Sequence, residues 1–413
     1  MNVNIENGAL MREIIAPPSK SFAHRYLISA FLSGEECLIK NAGKSKDVLA
    51  TLSALKALGA EYSFNGNDVT IKRIDNGRSL REVNCDESGS TMRFLIPVAA
   101  ALGIESEFTG SQRLLERPIG KLAECLNSRG AKVVGHKVTG KLSSGVYRID
   151  ASVSSQYISG LMFALPLLNG DSAIVLEGGL VSKGYLDITI EVLKDFGIEI
   201  DVNKDGYFIR GNQKYLAKTS VVEGDYSGAS FILCSGAING EVTVKGLNQF
   251  TTQGDGRILQ VLKQFGAKVT VSEDQVTVKS QELKGIEVDV EDIPDLAQII
   301  SVVGAYASGK TVIKNVERLK IKESDRLQAI IDMLTVCGIK TEVKDNSLII
   351  EGGRPKGGEF FGGNDHRTVM SSAILAFHAN GNSTIIGAEA VSKSYPDFFE
   401  QAKKLGGRVN VNI

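Results

Sequence analysis

Basic and hydroxyl side chains gather at the starts of six apolar segments. The first is Pro17-Pro18-Ser19-Lys20-Ser21-Phe22-Ala23-His24-Arg25 and the second Glu87-Ser88-Gly89-Ser90-Thr91-Met92-Arg93. Ser154-Ser155-Gln156, Gly224-Asp225-Tyr226-Ser227, Pro294-Asp295 and Asn364-Asp365-His366-Arg367 open the other four. A helix start offers free amide N–H groups and about half a positive charge, so it attracts anions. Ser, Asp and Asn are also preferred caps, and capping accounts for Ser154 or Asp225 as readily as a ligand does. It does not account for Lys20, Arg25 and Arg367, because a cation in the first turn opposes the helix dipole. An anionic ligand removes that conflict. Glu116-Arg117-Pro118, Lys322-Glu323-Ser324-Asp325-Arg326 and Val391-Ser392-Lys393-Ser394 add three more basic clusters. Asp295 and Glu323 stand among these cations, where each weakens plain anion binding.

The elements that must hold these residues repeat. Six glycines that close a helix and precede a strand, Gly59, Gly130, Gly197, Gly266, Gly338 and Gly406, are 71, 67, 69, 72 and 68 residues apart. A second set, Gly34, Gly103, Gly170, Gly240, Gly309 and Gly381, is spaced by 69, 67, 70, 69 and 72. Two independent markers with one period point to six copies of one unit. Each copy reads as strand, helix, strand, helix, strand, strand. The first helix is apolar nearly all round and so is expected to be buried on every side. The second is amphipathic and should end in a left-handed glycine cap. The fold class expected is α/β (α+β), with two similar domains of three repeats each. If residues 1–17 lend a strand to the second half, the domains are 18–224 and 1–17 plus 225–413. Two chain crossings would then form a double-stranded hinge.

Composition narrows the classes further. The 413 residues carry 47 Lys+Arg against 48 Asp+Glu, a net charge of −1, which argues against a dedicated nucleic-acid binder. Apolar runs such as 94–104 and 157–168 are too short to span a membrane. The first ten residues show no secretory pattern, and Cys37, Cys85, Cys125, Cys234 and Cys337 form no paired framework. A cytoplasmic protein is expected. The four histidines have no metal-ligand spacing, so no metal is expected. Gly304-Ala-Tyr-Ala-Ser-Gly309-Lys310-Thr311 matches the phosphate-loop pattern letter for letter. That chemistry needs a strand before the loop and a helix after it, and here the order is reversed.

Taken in order, Pro-Ser-Lys-Ser…His-Arg, Ser-Gly-Ser-Thr-x-Arg, Glu-Arg-Pro, Ser-Ser-Gln, Lys-Glu-Ser-Asp-Arg and Asn-Asp-His-Arg resemble the signature set of the EPSP synthase family over essentially the whole chain. The resemblance implies two inside-out α/β barrel-type domains of three repeats joined by a double-stranded hinge. It implies transfer of the enolpyruvyl group of phosphoenolpyruvate to the 5-hydroxyl of shikimate-3-phosphate, with release of phosphate, in the shikimate pathway. Lys20, Ser21 and Arg25 then match residues at the shikimate phosphate and the reacting hydroxyl, and Lys20 also meets phosphoenolpyruvate. Ser154, Ser155 and Gln156 match the second shikimate-phosphate contact, with Gln156 reaching phosphoenolpyruvate as well. Ser182 and Tyr185 fall where the family adds contacts to shikimate-3-phosphate. Gly89, Arg117, Arg326, Arg367 and Lys393 match the phosphoenolpyruvate positions. Asp295 and Lys322 match groups near the attacking hydroxyl, and Glu323 the proton donor to the methylene carbon. No cofactor, metal, nucleic acid or membrane is implied, and a monomer is expected.

The charges agree with this. Two substrates with one carboxylate and one phosphate apiece bring about −6 together near neutral pH. Lys20, Arg25, Arg117, Lys322, Arg326, Arg367 and Lys393 supply seven positive charges. Three positions depart from the family pattern: Pro18 replaces a common Gly, Glu87 a common Asn, and Phe94 a common Pro. One rival is the sister transferase acting on UDP-N-acetylglucosamine, whose family uses a cysteine shortly before an Arg-Pro pair. The stretch Gly110 to Pro118 has none, and Cys125 lies beyond it in an amphipathic helix. The other rival, a non-catalytic anion-binding or RNA-end-processing relative, has no use for Asp295 and Glu323.

Overall fold

The computed structural model describes residues 1–74 and 80–412. Six four-stranded sheets share one order. In the second of them Arg81–Asn84 runs parallel to Ser106–Thr109, which is antiparallel to Lys137–Gly140, itself antiparallel to Ala131–Val134. Strands such as Glu241–Lys245 bury every second residue, here Val242 and Val244, so that one face meets a core and the other faces outward. The sheets are separate, and no closed barrel forms among the described residues. All twelve marker glycines have positive φ, between 69° and 126°, the region an L side chain avoids.

The chain divides into two compact units, Lys20–Val222 and Met1–Ser19 with Glu223–Ile413. The boundaries thus fall two residues from 17/18 and 224/225. Three buried helices lie in the first unit, Lys20–Ser33, Gly89–Leu102 and Ser155–Ala164. The second unit holds Tyr226–Ile238, Ala297–Tyr306 and His366–His378, which pack on one another. Their apolar residues are buried on all sides, so each unit keeps its helices inside and its sheets outside. Gly160 has a packing reason: a Cβ there would stand 2.5 Å from the Arg93 carbonyl oxygen. Without a side chain, the Ser155–Ala164 and Gly89–Leu102 helices can approach closely.

The repeats are not each self-contained. The strand that leads into the first helix, Met11–Ile15, pairs in parallel with Glu241–Lys245 of the fourth repeat. In exchange, Thr219–Val221 pairs with Cys37–Lys40 of the first. The N-terminal residues also lend two strands, not one. Arg408–Asn412 leaves the sixth sheet one strand short, and Asn2–Glu6 fills the gap, with Val3 and Ile5 fully buried. The two connecting segments run antiparallel, bridged at Pro18 and Gly224, and Asp225 N–H donates to the Pro17 carbonyl at 2.8 Å.

The phosphate-loop look-alike has a structural explanation. Gly304 lies within the Ala297–Tyr306 helix, where a Cβ would touch Thr311 at 3.0 Å, so it lets the helix lie against its own strand. Lys310 opens the strand Lys310–Lys314 and is mostly exposed, 3.7 Å from Glu351. Lys310→Ala is expected to leave turnover within about twofold of wild type, as for a surface substitution. ATP is expected to leave the melting temperature unchanged. Thermal protection by ATP that disappears in Lys310→Ala would reverse this. Among the described residues no helix is long and apolar enough to cross a membrane.

Candidate active site

In the Lys20–Val222 unit the predicted residues fall into two linked groups. Lys20 begins its helix and its Nζ is 2.7 Å from Asp47 Oδ2. Asp47 stands in the first turn of Lys46–Ala57, where a carboxylate complements both the helix start and the lysine. Arg25 is 2% exposed and held at three points. Its Nε donates to Thr189 Oγ1 (2.8 Å), Nη1 to the Ser21 carbonyl (2.7 Å) and Nη2 to the Tyr185 carbonyl (2.9 Å). Burial pulls its guanidinium down to about 9, which leaves it charged at neutral pH. Its guanidinium carbon also lies 4.9 Å from the centre of the Phe94 ring, a cation–π contact. Phe94, one of the three departures from the family pattern, is thus a support for Arg25. Ser182 is 3% exposed with φ of 56°, at the turn that leads into the Gly184–Asp195 helix carrying Tyr185.

The second group surrounds Gln156. Ser154 caps the Ser155–Ala164 helix, its Oγ accepting the Gln156 N–H at 3.3 Å, and Ser155 is buried. Gln156 Oε1 accepts from Arg93 Nη1 at 2.7 Å, and its Nε2 donates to Ser90 Oγ at 2.9 Å. The close helix approach at Gly160 brings Gln156 and Arg93 within reach. Arg117 packs against Gly89, where a Cβ would lie 2.6 Å from Arg117 Nη1. Behind both groups runs a hydroxyl chain. His24 Nδ1 is 2.6 Å from Thr51 Oγ1, which is 2.6 Å from Thr91 Oγ1, which donates to Ser88 Oγ at 2.7 Å. Burial, then Lys20 and Arg25, hold the His24 imidazole well below its ordinary pKa, so it is neutral and structural at pH 7.

In the second unit the remaining residues meet around Asp295, on the short turn Pro294–Leu296 ahead of its helix. Asp295 Oδ1 accepts from Arg326 Nη1 at 2.7 Å and lies 3.6 Å from Lys322 Nζ. Its Oδ2 accepts from Arg367 Nη2 at 3.1 Å, and its carbonyl from Arg367 Nη1 at 3.0 Å. One carboxylate therefore faces three of the predicted cations. Arg326 is the most enclosed: its Nε donates to Asp365 Oδ2 at 2.8 Å and its Nη2 pairs with Glu323 Oε2 at 2.7 Å. Burial opposes its charge, but Asp365, Glu323 and Asp295 outweigh burial and hold it well above the usual range. Asp365 is fully buried and caps the His366–His378 helix by accepting the Arg367 N–H. Burial pushes its pKa up, Arg326 and His366 push it down, and the net shift is downward. Burial, against the pull of Asp295, draws the Lys322 ammonium down. Lys393 is 6% exposed and its Nζ donates to the Asn364 carbonyl.

Several participants were not singled out by sequence reasoning. Asp47 reads as an ordinary first-turn acid, and Asp255 sits in Gln253-Gly254-Asp255-Gly256, which reads as a turn. Arg93 and Asp365 lie inside quoted motifs, yet only the structure gives them partners. Asp47 and Asp255 each follow a repeat's second strand, the place that marks Arg117, Lys322 and Lys393 elsewhere, and that equivalence was the available signal. Cys125 is 5% exposed in the Gly120–Asn127 helix, and burial pushes its thiol up to about 12, leaving it unreactive.

The comparisons with known proteins agree on one family. A family profile described as EPSP synthase (3-phosphoshikimate 1-carboxyvinyltransferase) matches residues 6–402. A 3-phosphoshikimate 1-carboxyvinyltransferase of Clostridium acetobutylicum is 40% identical over 99% of this chain and 98% of its own length. One from Methanococcus maripaludis is 37% identical, covering 96% of both. A solved EPSP synthase from Acinetobacter baumannii superposes with a TM-score of 0.84 at 26% identity, over 99% of this chain and all of the other. The enolpyruvyl transferase NikO of Streptomyces tendae shares the fold, with a TM-score of 0.79 at 17% identity over 99% of this chain and 98% of its own. With the ordered motifs, the repeat architecture and the Asp295 cluster already in view, these matches establish that the chain belongs to the EPSP synthase family.

Proposed function

We propose that this protein transfers the enolpyruvyl group of phosphoenolpyruvate to the 5-hydroxyl of shikimate-3-phosphate and releases phosphate. The observation that carries the reading is the Asp295 hub, where one carboxylate answers Lys322, Arg326 and Arg367. Side-chain exposures of 17% for Asp295, 20% for Lys322 and 27% for Glu323 leave these three reachable, whereas Arg326 and Asp365 at 1% and 0% form the scaffold beneath. The carboxylate and phosphate of phosphoenolpyruvate compete with Asp295 for the arginine N–H groups, which suit both anions through their planar forks. That exchange frees Asp295 to take the proton of the attacking hydroxyl, beside Lys322. The hydroxyl oxygen bonds to the substituted carbon of the enol while Glu323 protonates the methylene. Glu323, now a carboxylate, takes a proton back from the new methyl group as phosphate leaves with the proton that Asp295 had accepted, and the double bond is restored. Lys20, Ser21, Arg25, Ser154, Ser155, Ser182 and Tyr185 are assigned to shikimate-3-phosphate. Gly89, Arg117 and Lys393 are assigned to phosphoenolpyruvate, and Gln156, like Lys20, to both substrates.

Gly89 offers a direct check. Its φ is not in the left-handed region, so alanine fits the backbone, but the new Cβ must displace the Arg117 fork. Gly89→Ala is expected to raise KM for phosphoenolpyruvate about tenfold, the loss of one hydrogen bond to a charged group. The melting temperature should stay within a few degrees, and an unchanged KM would detach Arg117 from that substrate. The reaction itself is tested by phosphate release, which should require both substrates. Release from phosphoenolpyruvate alone, or none with both present, would contradict the assignment.

A further inference from the structure

Asp255 takes no part in the chemistry above, yet it is 6% exposed and close to its centre. It lies in the turn Gly254–Arg257, which packs on the Tyr226–Ile238 helix. Gln253, two residues earlier, braces the start of that helix: its Oε1 accepts the Tyr226 N–H at 3.0 Å and its Nε2 donates to the Gly224 carbonyl at 2.8 Å. The Asp255 carboxylate is hydrogen-bonded to Ser227. Ser227 Oγ in turn accepts from Arg367 Nη2 at 2.7 Å. A hydroxyl has one proton, so giving it to Asp255 turns the Ser227 lone pairs toward the guanidinium.

We infer that Asp255 is a positioning residue that fixes the Arg367 guanidinium through the Ser227 hydroxyl. The inference rests on the reading of Arg367 as a phosphoenolpyruvate contact. The charged groups facing Asp255 are Asp295, Arg367 and Asp225. Burial first, then Asp295, push its carboxyl up to about 6, against the pull of Arg367 and Ser227. Arg367 and the Ser227 hydrogen bond favour its anion, which accepts the Ser227 proton, while burial and Asp295 hold that anion at a cost to folding. The first repeat is built alike: Asp47, in the first turn of its second helix, holds Lys20 directly. Asp255 reaches its cation through one hydroxyl.

The signs of the two effects separate positioning from propping. A raised carboxyl contributes stability below its unfolded value that is lost as pH rises through about 6. Asp255→Asn should therefore melt no lower than wild type at pH 8. The same variant should raise KM for phosphoenolpyruvate about tenfold, the loss of one hydrogen bond to a charged group, while KM for shikimate-3-phosphate holds. Ser227→Ala should match it, and the double variant should be no worse than the worse single one, because both cut the same relay. Arg367→Lys sets the reference and should raise the same KM on its own. If Arg367→Lys raises it while Asp255→Asn and Ser227→Ala do not, or if the two losses simply add, the inference is overturned and the reading of Arg367 stands. A lower melting temperature for Asp255→Asn at pH 8 also overturns it, by making Asp255 a structural prop. If Arg367→Lys leaves this KM unchanged, the reading of Arg367 falls and the inference falls with it.

Discussion

Replacing Asp295 with asparagine is expected to lower turnover by about 10²–10⁴-fold, the range for removing a positioned acid or base. The same change should leave affinity for phosphoenolpyruvate undiminished or improve it. Asp295 pairs with Arg326, Arg367 and Lys322, so it competes with any anion for their N–H groups. Removing its charge ends that competition. Arg326 keeps Asp365 and Glu323, and the fold should persist. Single-turnover kinetics with a separate binding titration reads both quantities. A loss of affinity that matches the loss of rate would mean Asp295 holds the site together and does not take a proton.

Arg326→Ala is expected to be the most damaging substitution for stability. It leaves Asp365, fully buried, with its main counter-charge gone. Breaking a buried pair from one side costs about 3–5 kcal/mol. The pH dependence carries a sign. In the wild type the lowered Asp365 contributes stability that is present above the ordinary carboxylate range and lost only as pH falls through its depressed value. In Arg326→Ala burial is left to push Asp365 up, so the folded state binds its proton more readily than the unfolded chain. The variant should then gain stability as pH is lowered from 7 toward 5, where the wild-type contribution from Asp365 is flat. Denaturation midpoints across that range measure the difference. A variant that shows no such gain would mean Asp365 finds another partner.

The architecture was legible because its punctuation is local. A glycine at a left-handed cap answers to its own backbone, and all twelve markers could be counted along the chain. The exchange of Met11–Ile15 and Thr219–Val221 between sheets was not legible. Both strands fit either partner by pattern, and which one they join depends on where the chain crosses. The site divides the same way. Glu323 and Arg326 are neighbours on one turn, and Lys20 and Arg25 are at odds with their own helix dipole, so each could be found from sequence. Asp295 reaches Arg326 from the start of the other helix of the same repeat, Asp365 reaches it from the sixth repeat, and Asp255 reaches Arg367 through a serine. Contacts of that kind arise only when the three buried helices of a unit bring their starts together.

The most direct measurement follows the carbon that moves. Phosphoenolpyruvate labelled with ¹³C at its methylene carbon should be incubated with shikimate-3-phosphate and the protein, and the carbon and phosphorus spectra recorded together. The expected result is a vinyl-ether carbon attached to the shikimate ring, appearing in step with one inorganic phosphate per transfer. Label that stays in phosphoenolpyruvate, or that appears as pyruvate while shikimate-3-phosphate is unchanged, would contradict enolpyruvyl transfer by this protein.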